Sequence, residues 1–325
     1  MAANSFTFVM LPPQTDITRA WAQRLGQDVP EARVVVAEDA SSAAEAIRTA
    51  DAAFGWLPED LLAKAPRLRW LQAPQAAPAA GYYHDALVRH PLTVTNFREI
   101  YNDHISAHIL AYVLAFARGL HVYIPQQLRA EWKKPPEDQG VVHLPEATAL
   151  IVGLGGIGTE TARLLSAFGT TVLATDARRT ERPAHVAEMH PAEALDSLLP
   201  RADFVILTVP HTPATERFFN RTRFQRMKQS AFFINIGRGK TTPLDDLVAA
   251  LQAGEIAGAA LDVYEQEPLP AEHPLWRMAN VILTPHMAGY GPYLNDRRYE
   301  IVRDNCRAFA AGQMLKNVVN KAMWF

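Results

Sequence analysis

The sequence has a single cysteine, which limits the covalent chemistry open to the chain. Cys306 is the only thiol among 325 residues, so an intrachain disulfide is excluded. One unpaired cysteine fits a reducing compartment, and we expect a cytoplasmic protein. Cys306 lies in segment 295–311, which has the pattern of a C-terminal helix. We therefore predict a packed, unreactive thiol.

Long apolar runs and strong net charge are also missing. The most apolar stretch is Ile105–Ala117, far shorter than the ~20 residues that span a bilayer. The N-terminal segment has no basic region followed by a cleavage site, so we expect no signal peptide. The formal net charge is −2 with both signs dispersed, which argues against a nucleic-acid or membrane partner bound through bulk charge.

The chain length and the order of apolar segments predict two α/β domains. A prior of ~150 residues per domain gives two domains for this chain. In the first hundred residues, short apolar runs alternate with helix-like segments, which is typical of a parallel sheet. The predicted strands there are Phe6–Leu11, Arg33–Ala37, Ala52–Leu57 and Leu68–Ala73, and the predicted helices are Asp16–Leu25, Ser41–Ala50 and Glu59–Ala65.

A second α/β series follows one long apolar helix, predicted over His104–Tyr123, and a polar loop at Glu131–Gly140. Within the series, Thr242 is the expected N-cap of a helix, Pro243 its first turn and Gly254 its C-cap. The predicted strands are Ala147–Val152, Thr171–Asp176, Asp203–Val209, Ala231–Ile236, Gly258–Val263 and Val281–Pro285.

The start of the second series has the pattern of a dinucleotide site. A strand leads into Gly153-Leu-Gly155-Gly156-Ile157-Gly158, and a helix follows. Gly153 permits a tight turn, Gly155 lets the backbone approach a pyrophosphate, and Gly158 allows the helix to pack closely on the strand. Asp176 ends the next strand, 18 positions past Gly158, where an acid binds the adenosine ribose hydroxyls.

The choice between NAD and NADP depends on charge near that acid. Asp176 repels a 2′-phosphate and favours NAD, whereas Arg178 and Arg179 follow directly and accommodate one. On the carboxylate we favour NAD, with NADP as the alternative.

Three charged residues follow successive strands of the second series, where open α/β sheets bind their ligands. They are Arg238 in NIGRG, Glu267 in DVYEQEPLP and His286 in TPHMAG. A guanidinium holds a carboxylate through a planar fork, and an imidazole exchanges a proton near neutral pH. This set suits hydride transfer to the C2 carbon of a 2-keto acid.

These motifs, with GLGGIG and VPHTPATERFF before them, resemble the D-isomer-specific 2-hydroxyacid dehydrogenase family from about Leu68 onward. The resemblance implies a Rossmann cofactor domain inserted into a flavodoxin-like substrate domain, both doubly wound parallel sheets. It implies residues 103–289 for the cofactor domain, and residues 1–102 with 290–325 for the substrate domain. It also implies a homodimer formed through the cofactor domain and the long apolar helix.

The resemblance further implies a role for each matching residue. Arg238 would bind the substrate carboxylate and carbonyl, and His286 would donate the proton in reduction. Glu267 would orient His286 and raise its pKa by favouring imidazolium. Asp262 would contact the nicotinamide carboxamide. The implied cofactor contacts are Gly153, Gly155, Gly156, Ile157, Gly158, Asp176, Arg178, Arg179, Val209, Pro210, Thr215, Ile236, Gly237, Asp262 and His286.

The substrate loop departs from the family pattern. Gln75 and Ala76 are the candidate substrate contacts, in a segment Ala73–Ala77 that has alanine where the family commonly has glycine. Glu99 and Asn102 also stand where glycine is usual, and Ala107 replaces a frequent glutamate. The expected substrate is a small 2-keto acid such as glyoxylate, hydroxypyruvate or pyruvate.

Other functions stay open at this point. A phosphoglycerate dehydrogenase would need basic residues at the pocket mouth, and Gln72–Tyr83 has none. Formate or phosphite oxidation uses similar cofactor domains, and some relatives are dinucleotide-sensing scaffolds that bind proteins.

His104 and His108 have a metal-compatible spacing but lack a third ligand, so we expect packing and no metal. Four C-terminal aromatics are candidates to cap the pocket or the partner subunit: Tyr290, Tyr293, Trp324 and Phe325.

Overall fold

The chain folds into two units, each built around its own parallel sheet. The computed structural model describes residues 4–76, 78, 81–137 and 139–322 of the 325. One unit comprises Met1–Ile100 and Pro292–Phe325, and the other comprises Tyr101–Gly291. We call them the discontinuous unit and the central unit. Ala77, Trp324 and Phe325, singled out in the sequence, lie outside the described residues.

The regular elements are numbered along the chain. The strands are β1 Phe6–Met10, β2 Ala32–Val36, β3 Ala52–Phe54, β4 Trp70–Gln72, β5 Thr93–Thr95, β6 Thr148–Val152, β7 Thr171–Asp176, β8 Glu188–Pro191, β9 Phe204–Leu207, β10 Phe232–Asn235, β11 Gly258–Leu261 and β12 Val281–Leu283. The α-helices are α1 Asp16–Asp28, α2 Ala40–Ala46, α3 Glu59–Leu62, α4 Asp85–Arg89, α5 Asn102–Ala117, α6 Leu120–Leu128, α7 Gly156–Ala167, α8 Leu195–Leu198, α9 Arg221–Phe224, α10 Leu244–Gln252 and α11 Leu294–Ala310.

The discontinuous unit contains a five-stranded sheet in the order β2-β1-β3-β4-β5. All of its strand pairs are parallel, and this order is that of flavodoxin-like folds. Thr15 and Asp39 begin α1 and α2 with capping boxes. The expectation of a flavodoxin-like sheet is confirmed. β5 was not predicted because its sequence, Thr93-Val94-Thr95, has one apolar residue and forms no apolar run.

The central unit contains a seven-stranded parallel sheet in the order β12-β11-β10-β9-β6-β7-β8. Counted from β6, this is the Rossmann order 3-2-1-4-5-6 with one further strand at the edge. The strand order reverses between β6 and β9, and such a switch point opens a crevice at the carboxyl ends of the strands. The Rossmann prediction is confirmed. β8 was missed because it is a short polar edge strand that ends in Pro191.

The single helix predicted over His104–Tyr123 is wrong. The structure ends α5 at Ala117 and starts α6 at Leu120, with a bend of 74° between them. Gly119 causes the break because its φ of +68° lies in the left-handed region. A Cβ at this position would also lie 3.3 Å from the Gly140 carbonyl oxygen.

The α5–α6 pair is the most apolar part of the chain. In the described ranges, no single helix is long and apolar enough to cross a bilayer, and only this bent pair meets the length and composition requirement. α5 buries a face that includes Ile109, Tyr112, Val113 and Phe116 in the core of the central unit.

The start of α10 also differs from the prediction. Thr242 is not its N-cap, because the helix begins at Leu244 with Pro243 as the capping residue. The cap is supplied from a distance, since Glu265 Oε2 accepts the Leu244 N–H at 2.7 Å. The predicted C-cap is off by one residue, because Ala253 caps the helix and Gly254, at φ +66°, follows it.

Candidate active site

The glycine loop joins β6 to α7 and has the geometry of a phosphate-binding turn. Gly153 has φ +97°, and a Cβ at Gly158 would lie 2.2 Å from the Gly153 carbonyl oxygen. A Cβ at Gly155 would meet nothing within 4 Å, so the backbone there is open to a ligand. Gly155 caps α7 without a side-chain hydrogen bond. The positive end of the helix dipole therefore faces this open backbone.

Asp176, the last residue of β7, is bound to backbone N–H groups on both sides. Its Oδ2 accepts from Leu154 at 2.7 Å, and its Oδ1 accepts from Arg178 and Arg179 at 2.8 and 2.9 Å. Burial opposes ionisation, but the hydrogen bonds from Arg179, Arg178 and Leu154 hold the pKa of Asp176 below its usual value. Most of the acceptor capacity of this carboxylate is already used by the chain.

Two arginines line a surface cleft beside Asp176. The cleft has a volume of about 270 Å³ and is formed by Asp176, Ala177, Arg178, Arg179, Thr180, Met189, His190 and Pro191. Arg179 Nη1 donates to Thr159 Oγ1 at 2.9 Å and to the Leu154 carbonyl at 3.2 Å, which ties this arginine to the glycine loop. Arg178 and Arg179 bring two positive charges to this cleft, and Asp176 brings one negative charge.

Val209 connects the glycine loop with the segment after β10. A Cβ at Gly153 would lie 2.8 Å from Val209 Cγ1, and a Cβ at Gly237 would lie 2.5 Å from the Val209 carbonyl oxygen. Thr215 Oγ1 donates to the Pro210 carbonyl at 2.6 Å and thereby closes the loop that follows. The structure thus brings together the predicted cofactor contacts of three separate motifs.

Arg238 lies on the loop after β10. Asn235 shapes this loop, because its Oδ1 accepts the Gly237 N–H at 3.1 Å while the preceding Ile236 is buried. Arg238 is part-buried, and its Nη1 donates to the Gly237 carbonyl at 2.7 Å. Burial lowers the pKa of Arg238, and the charge of Glu267 opposes that effect. The guanidinium remains charged at neutral pH because an arginine side chain does not lose its proton in proteins.

Glu267 and His286 form a directly hydrogen-bonded pair. His286 Nδ1 lies 2.7 Å from Glu267 Oε2, and Glu267 Oε1 accepts the Tyr264 N–H at 3.0 Å. The His286 side chain is 49% exposed and the Glu267 side chain is 36% exposed. They follow β11 and β12, and Arg238 follows the adjacent β10, so all three arise at one edge of the sheet.

The backbone at His286 is in an uncommon conformation. Its φ is +52°, a left-handed value that a residue with a Cβ adopts at a cost of ~1–3 kcal/mol. Such values persist where neighbouring contacts fix the backbone, and they cluster at functional sites.

Asp262 is buried and bound within the chain. It is 1% exposed, and it accepts hydrogen bonds from Thr284 Oγ1 at 2.5 Å and from the Met287 and Ala288 N–H groups at 2.9 Å each. These contacts fix the loop that carries His286. Tyr112, on α5, contacts Thr284 Oγ1 through its hydroxyl. This arrangement was not predicted from the sequence. The signal present was a pair of polar residues, His108 and Tyr112, four apart on an apolar helix.

The candidate substrate residues lie in the discontinuous unit, after β4. Gln75 is exposed, and the Ala76 carbonyl accepts the Asn96 side-chain amide at 2.8 Å. Glu99, where the family commonly has glycine, has φ +76°, so the chain keeps a left-handed turn without the glycine.

The two helical histidines have different surroundings. His104 Nε2 is buried and has no hydrogen-bond partner among the described residues, whereas His108 Nε2 lies 3.1 Å from Thr284 Oγ1. Across the described ranges, no group of three or more His, Cys, Asp or Glu side chains is arranged to hold a metal ion.

Comparison with known proteins identifies the family. The sequence model described as "D-isomer specific 2-hydroxyacid dehydrogenase, NAD binding domain" matches residues 110–288. A glyoxylate reductase of Thermofilum pendens is 37% identical over 231 residues, which is 70% of this chain and 68% of the relative. A glyoxylate/hydroxypyruvate reductase B of Salmonella newport is 36% identical over 270 residues, 80% of each chain.

The chain belongs to the D-isomer-specific 2-hydroxyacid dehydrogenase family. A solved member from Xanthobacter autotrophicus Py2, in complex with NADPH and MES, has a TM-score of 0.84 and 27% identity, covering 99% of this chain and 100% of that one. As a member of this family, the protein is a nicotinamide-dinucleotide-dependent oxidoreductase that transfers a hydride between its cofactor and a 2-hydroxy or 2-keto acid.

Proposed function

We propose that this dehydrogenase reduces a small 2-keto acid, of the size of glyoxylate, hydroxypyruvate or pyruvate, to the D-2-hydroxy acid. The observation that carries the proposal is the 2.7 Å pair of His286 and Glu267 on the loop edge that also bears Arg238. The two relatives described above are named as a glyoxylate reductase and a glyoxylate/hydroxypyruvate reductase. This set of side chains suits a 2-keto acid. Arg238 can bind the carboxylate and the carbonyl, and His286 can exchange the proton.

Arg238 is the group proposed to bind the substrate. Its guanidinium presents a planar fork that pairs with a carboxylate through two hydrogen bonds, and the remaining donors polarise the C2 carbonyl. Burial strengthens this interaction because competing water is reduced around the charge. The bond to the Gly237 carbonyl holds the side chain in place before substrate arrives.

His286 is the proposed proton donor. When bound, the nicotinamide supplies the hydride to C2, and the carbonyl oxygen then needs a proton. Because Nδ1 is committed to Glu267, proton transfer falls to Nε2 of His286. Glu267 holds the orientation of the ring through this hydrogen bond. In oxidation the same nitrogen takes the proton back.

The glycine loop and its neighbours are the proposed cofactor site. The open backbone at Gly155 and the uncapped start of α7 suit a pyrophosphate, and the other contacts are those that the family resemblance assigned. Asp262 is the exception. The oxygens of Asp262 already accept hydrogen bonds from Thr284, Met287 and Ala288. We therefore propose that Asp262 holds the His286 loop in place, in addition to contacting the nicotinamide carboxamide.

We further propose that the enzyme accepts NADPH in addition to NADH, and prefers it. The Asp176 carboxylate is engaged by three backbone N–H groups, so less of its charge and acceptor capacity faces a 2′-phosphate. Arg178 and Arg179 line the cleft beside it and give a net positive charge there. The carboxylate alone predicted NAD, with NADP as the alternative.

The remaining organisation follows the family expectation. We propose residues 103–289 as the cofactor domain, and 1–102 with 290–325 as the substrate domain, with Gln75 and Ala76 as substrate contacts. We also propose a cytoplasmic homodimer formed through α6. Although α6 is largely apolar, none of its residues is buried. Its exposed apolar side chains, which we call the apolar surface of α6, are Leu120, Val122, Ile124 and Leu128, and the exposed Trp132 lies four residues after the helix ends.

The test is cofactor oxidation with a panel of acids. NADH and NADPH absorbance is followed with glyoxylate, hydroxypyruvate, pyruvate, phenylpyruvate and 3-phosphohydroxypyruvate, and NAD and NADP reduction is followed with formate and phosphite. We expect turnover with small keto acids and its collapse in His286→Ala. The matched control is His143→Ala, since His143 is an exposed histidine whose ring pairs with Glu146 on the surface.

Two results would overturn the proposal. Turnover only with formate, phosphite or the phosphorylated acid would assign the site to another substrate class. Tight NADH binding without turnover of any substrate would favour the sensing scaffold.

A further inference from the structure

A cluster of four polar side chains, two of them buried and two half-buried, contacts the His286 loop. It consists of Asp262, Thr284, Tyr112 and His108, and we call it the Asp262 cluster. β11 and β12 pair in parallel, with Leu261 opposite Leu283, so the residues that follow them meet at the carboxyl edge. Thr284 Oγ1 donates to Asp262 Oδ1 at 2.5 Å. Tyr112 and His108 reach Thr284 Oγ1 from α5, the histidine at 3.1 Å.

The hydrogens in this cluster can be assigned by counting donors. An ionised carboxylate only accepts, so the single hydroxyl hydrogen of Thr284 is committed to Asp262. Tyr112 and His108 must therefore both donate to Thr284 Oγ1, which uses its two lone pairs. This assignment places the ring hydrogen of His108 on Nε2. Tyr112 Oη also lies 3.2 Å from the Leu261 carbonyl, a second and weaker acceptor for the same hydrogen.

The cluster holds the backbone on both sides of His286. Before it, the Thr284 carbonyl accepts the His286 N–H at 3.0 Å and the Tyr264 hydroxyl at 2.8 Å. After it, Asp262 accepts the N–H groups of Met287 and Ala288. The left-handed φ of +52° at His286 is thus enforced by contacts to its neighbours.

We propose that Tyr112 and Thr284 are positioning residues for the proton donor. The inference rests on the proposed role of His286. Together the two hydroxyls fix the orientation of Asp262, Asp262 fixes the turn, and the turn keeps His286 Nδ1 against Glu267. The geometry assigns a specific task to the Tyr112 hydroxyl, because phenylalanine would fill the same space within α5 and lack only that oxygen.

The predicted kinetic effect is selective. Loss of either hydroxyl leaves a buried acceptor or donor without its partner and frees the turn to relax. The fraction of molecules with His286 aligned then falls. Arg238 lies on a different loop and keeps its own anchor at the Gly237 carbonyl, so substrate binding is retained. We therefore expect kcat to fall while KM stays nearly constant.

The experiment compares Tyr112→Phe, Thr284→Val and Thr284→Ser with the wild-type enzyme. We expect kcat to fall about tenfold in the first two variants, with KM changed less than about twofold. Thr284→Ser keeps the hydroxyl and is expected to restore most of the activity. Tyr299→Phe is the matched control, because Tyr299 is a fully buried tyrosine of the discontinuous unit that donates to Asp28 at 2.5 Å.

A second readout does not depend on turnover. In the ¹⁵N-histidine-labelled enzyme, the proton shared by His286 Nδ1 and Glu267 gives a downfield NMR signal, assigned by its loss in His286→Ala. We expect this signal to weaken or exchange faster in Tyr112→Phe and to be unchanged in Tyr299→Phe.

The inference is overturned if Tyr112→Phe and Thr284→Val keep the wild-type kcat and the NMR signal, or if Thr284→Ser is as impaired as Thr284→Val. An equal loss of kcat in Tyr299→Phe would also overturn it, since the effect would then reflect general stability. If His286→Ala retains turnover, the proposed function fails separately. The NMR comparison still decides whether Tyr112 positions the imidazole.

Discussion

Glu267 holds His286 through one carboxylate oxygen and is itself held through the other. Oε2 lies 2.7 Å from His286 Nδ1, and Oε1 accepts the Tyr264 N–H at 3.0 Å. The carboxylate is therefore oriented before the imidazole takes part in any reaction. A fixed carboxylate fixes the ring orientation and places a hydrogen on Nδ1, which leaves Nε2 for proton transfer.

Replacing this carboxylate is expected to slow reduction. Glu267→Gln keeps an oxygen that can accept the Tyr264 N–H but loses the charge-assisted hydrogen bond to His286 Nδ1. We expect kcat for keto-acid reduction to fall about 10- to 100-fold at pH 7.5. Steady-state kinetics on the preferred keto acid measure this. An unchanged kcat would show that the charge of Glu267 is not needed.

Arg238 is expected to tolerate no other cation. Arg238→Lys keeps the charge but replaces the planar fork with a single ammonium. One charged hydrogen bond contributes about 1.5–3 kcal/mol, so we expect kcat/KM to fall about 10- to 150-fold. Steady-state kinetics on the preferred keto acid measure this, with Arg226→Lys, an exposed arginine of the same unit, as the control. Activity within twofold of wild type would remove Arg238 from substrate binding.

The cofactor preference is expected to depend on Arg178. In Arg178→Ala we expect KM for NADPH to rise about tenfold while KM for NADH stays nearly unchanged, because only NADPH carries the 2′-phosphate. Arg179→Ala should impair both cofactors, since Arg179 also binds Thr159 and the Leu154 carbonyl. Titration of each variant with both dinucleotides tests this. Equal effects of Arg178→Ala on both would contradict it.

Some parts of the site were accessible from the sequence because their signals are local. The glycine loop, Asp176 and the strand-end positions of Arg238, Glu267 and His286 follow from short motifs in a fixed order. The parallel α/β class of both sheets follows from the alternation of strands and helices, and their strand orders follow from the family resemblance.

Other parts depend on residues far apart in the chain. The α10 cap comes from Glu265, 21 residues beyond the helix start, and Tyr112 meets Thr284 across 172 positions. The α5–α6 break depends on one glycine in an apolar run that fits a continuous helix equally well. A sequence pattern does not show which of these distant residues contact each other. Only the folded structure shows it.

The apolar surface of α6 is expected to join two copies of the chain. We expect the Ile124→Glu/Leu128→Glu double variant to be monomeric, because both side chains are exposed and apolar, at 53% and 82%. Light scattering after size exclusion measures the mass. Met314→Glu, at a methionine 90% exposed in the discontinuous unit, is the control and should leave the assembly intact. A wild-type monomer would refute the dimer.

Cys306 is expected to be chemically silent in the folded enzyme. The thiol is fully buried in α11, and burial raises its pKa far above the ordinary value. An exposed thiol has a pKa of about 8.5, so part of it is thiolate at pH 8, whereas the buried group stays protonated and is shielded from reagents. We expect a thiol-reactive disulfide reagent at pH 8 to label less than about a tenth of the native protein within an hour, and to label one equivalent of the protein in guanidinium chloride.

Because the label reports opening of α11, the same assay on Tyr112→Phe and Tyr299→Phe separates a local effect in the central unit from loosening of the discontinuous unit. Rapid labelling of the native enzyme would show that α11 opens readily.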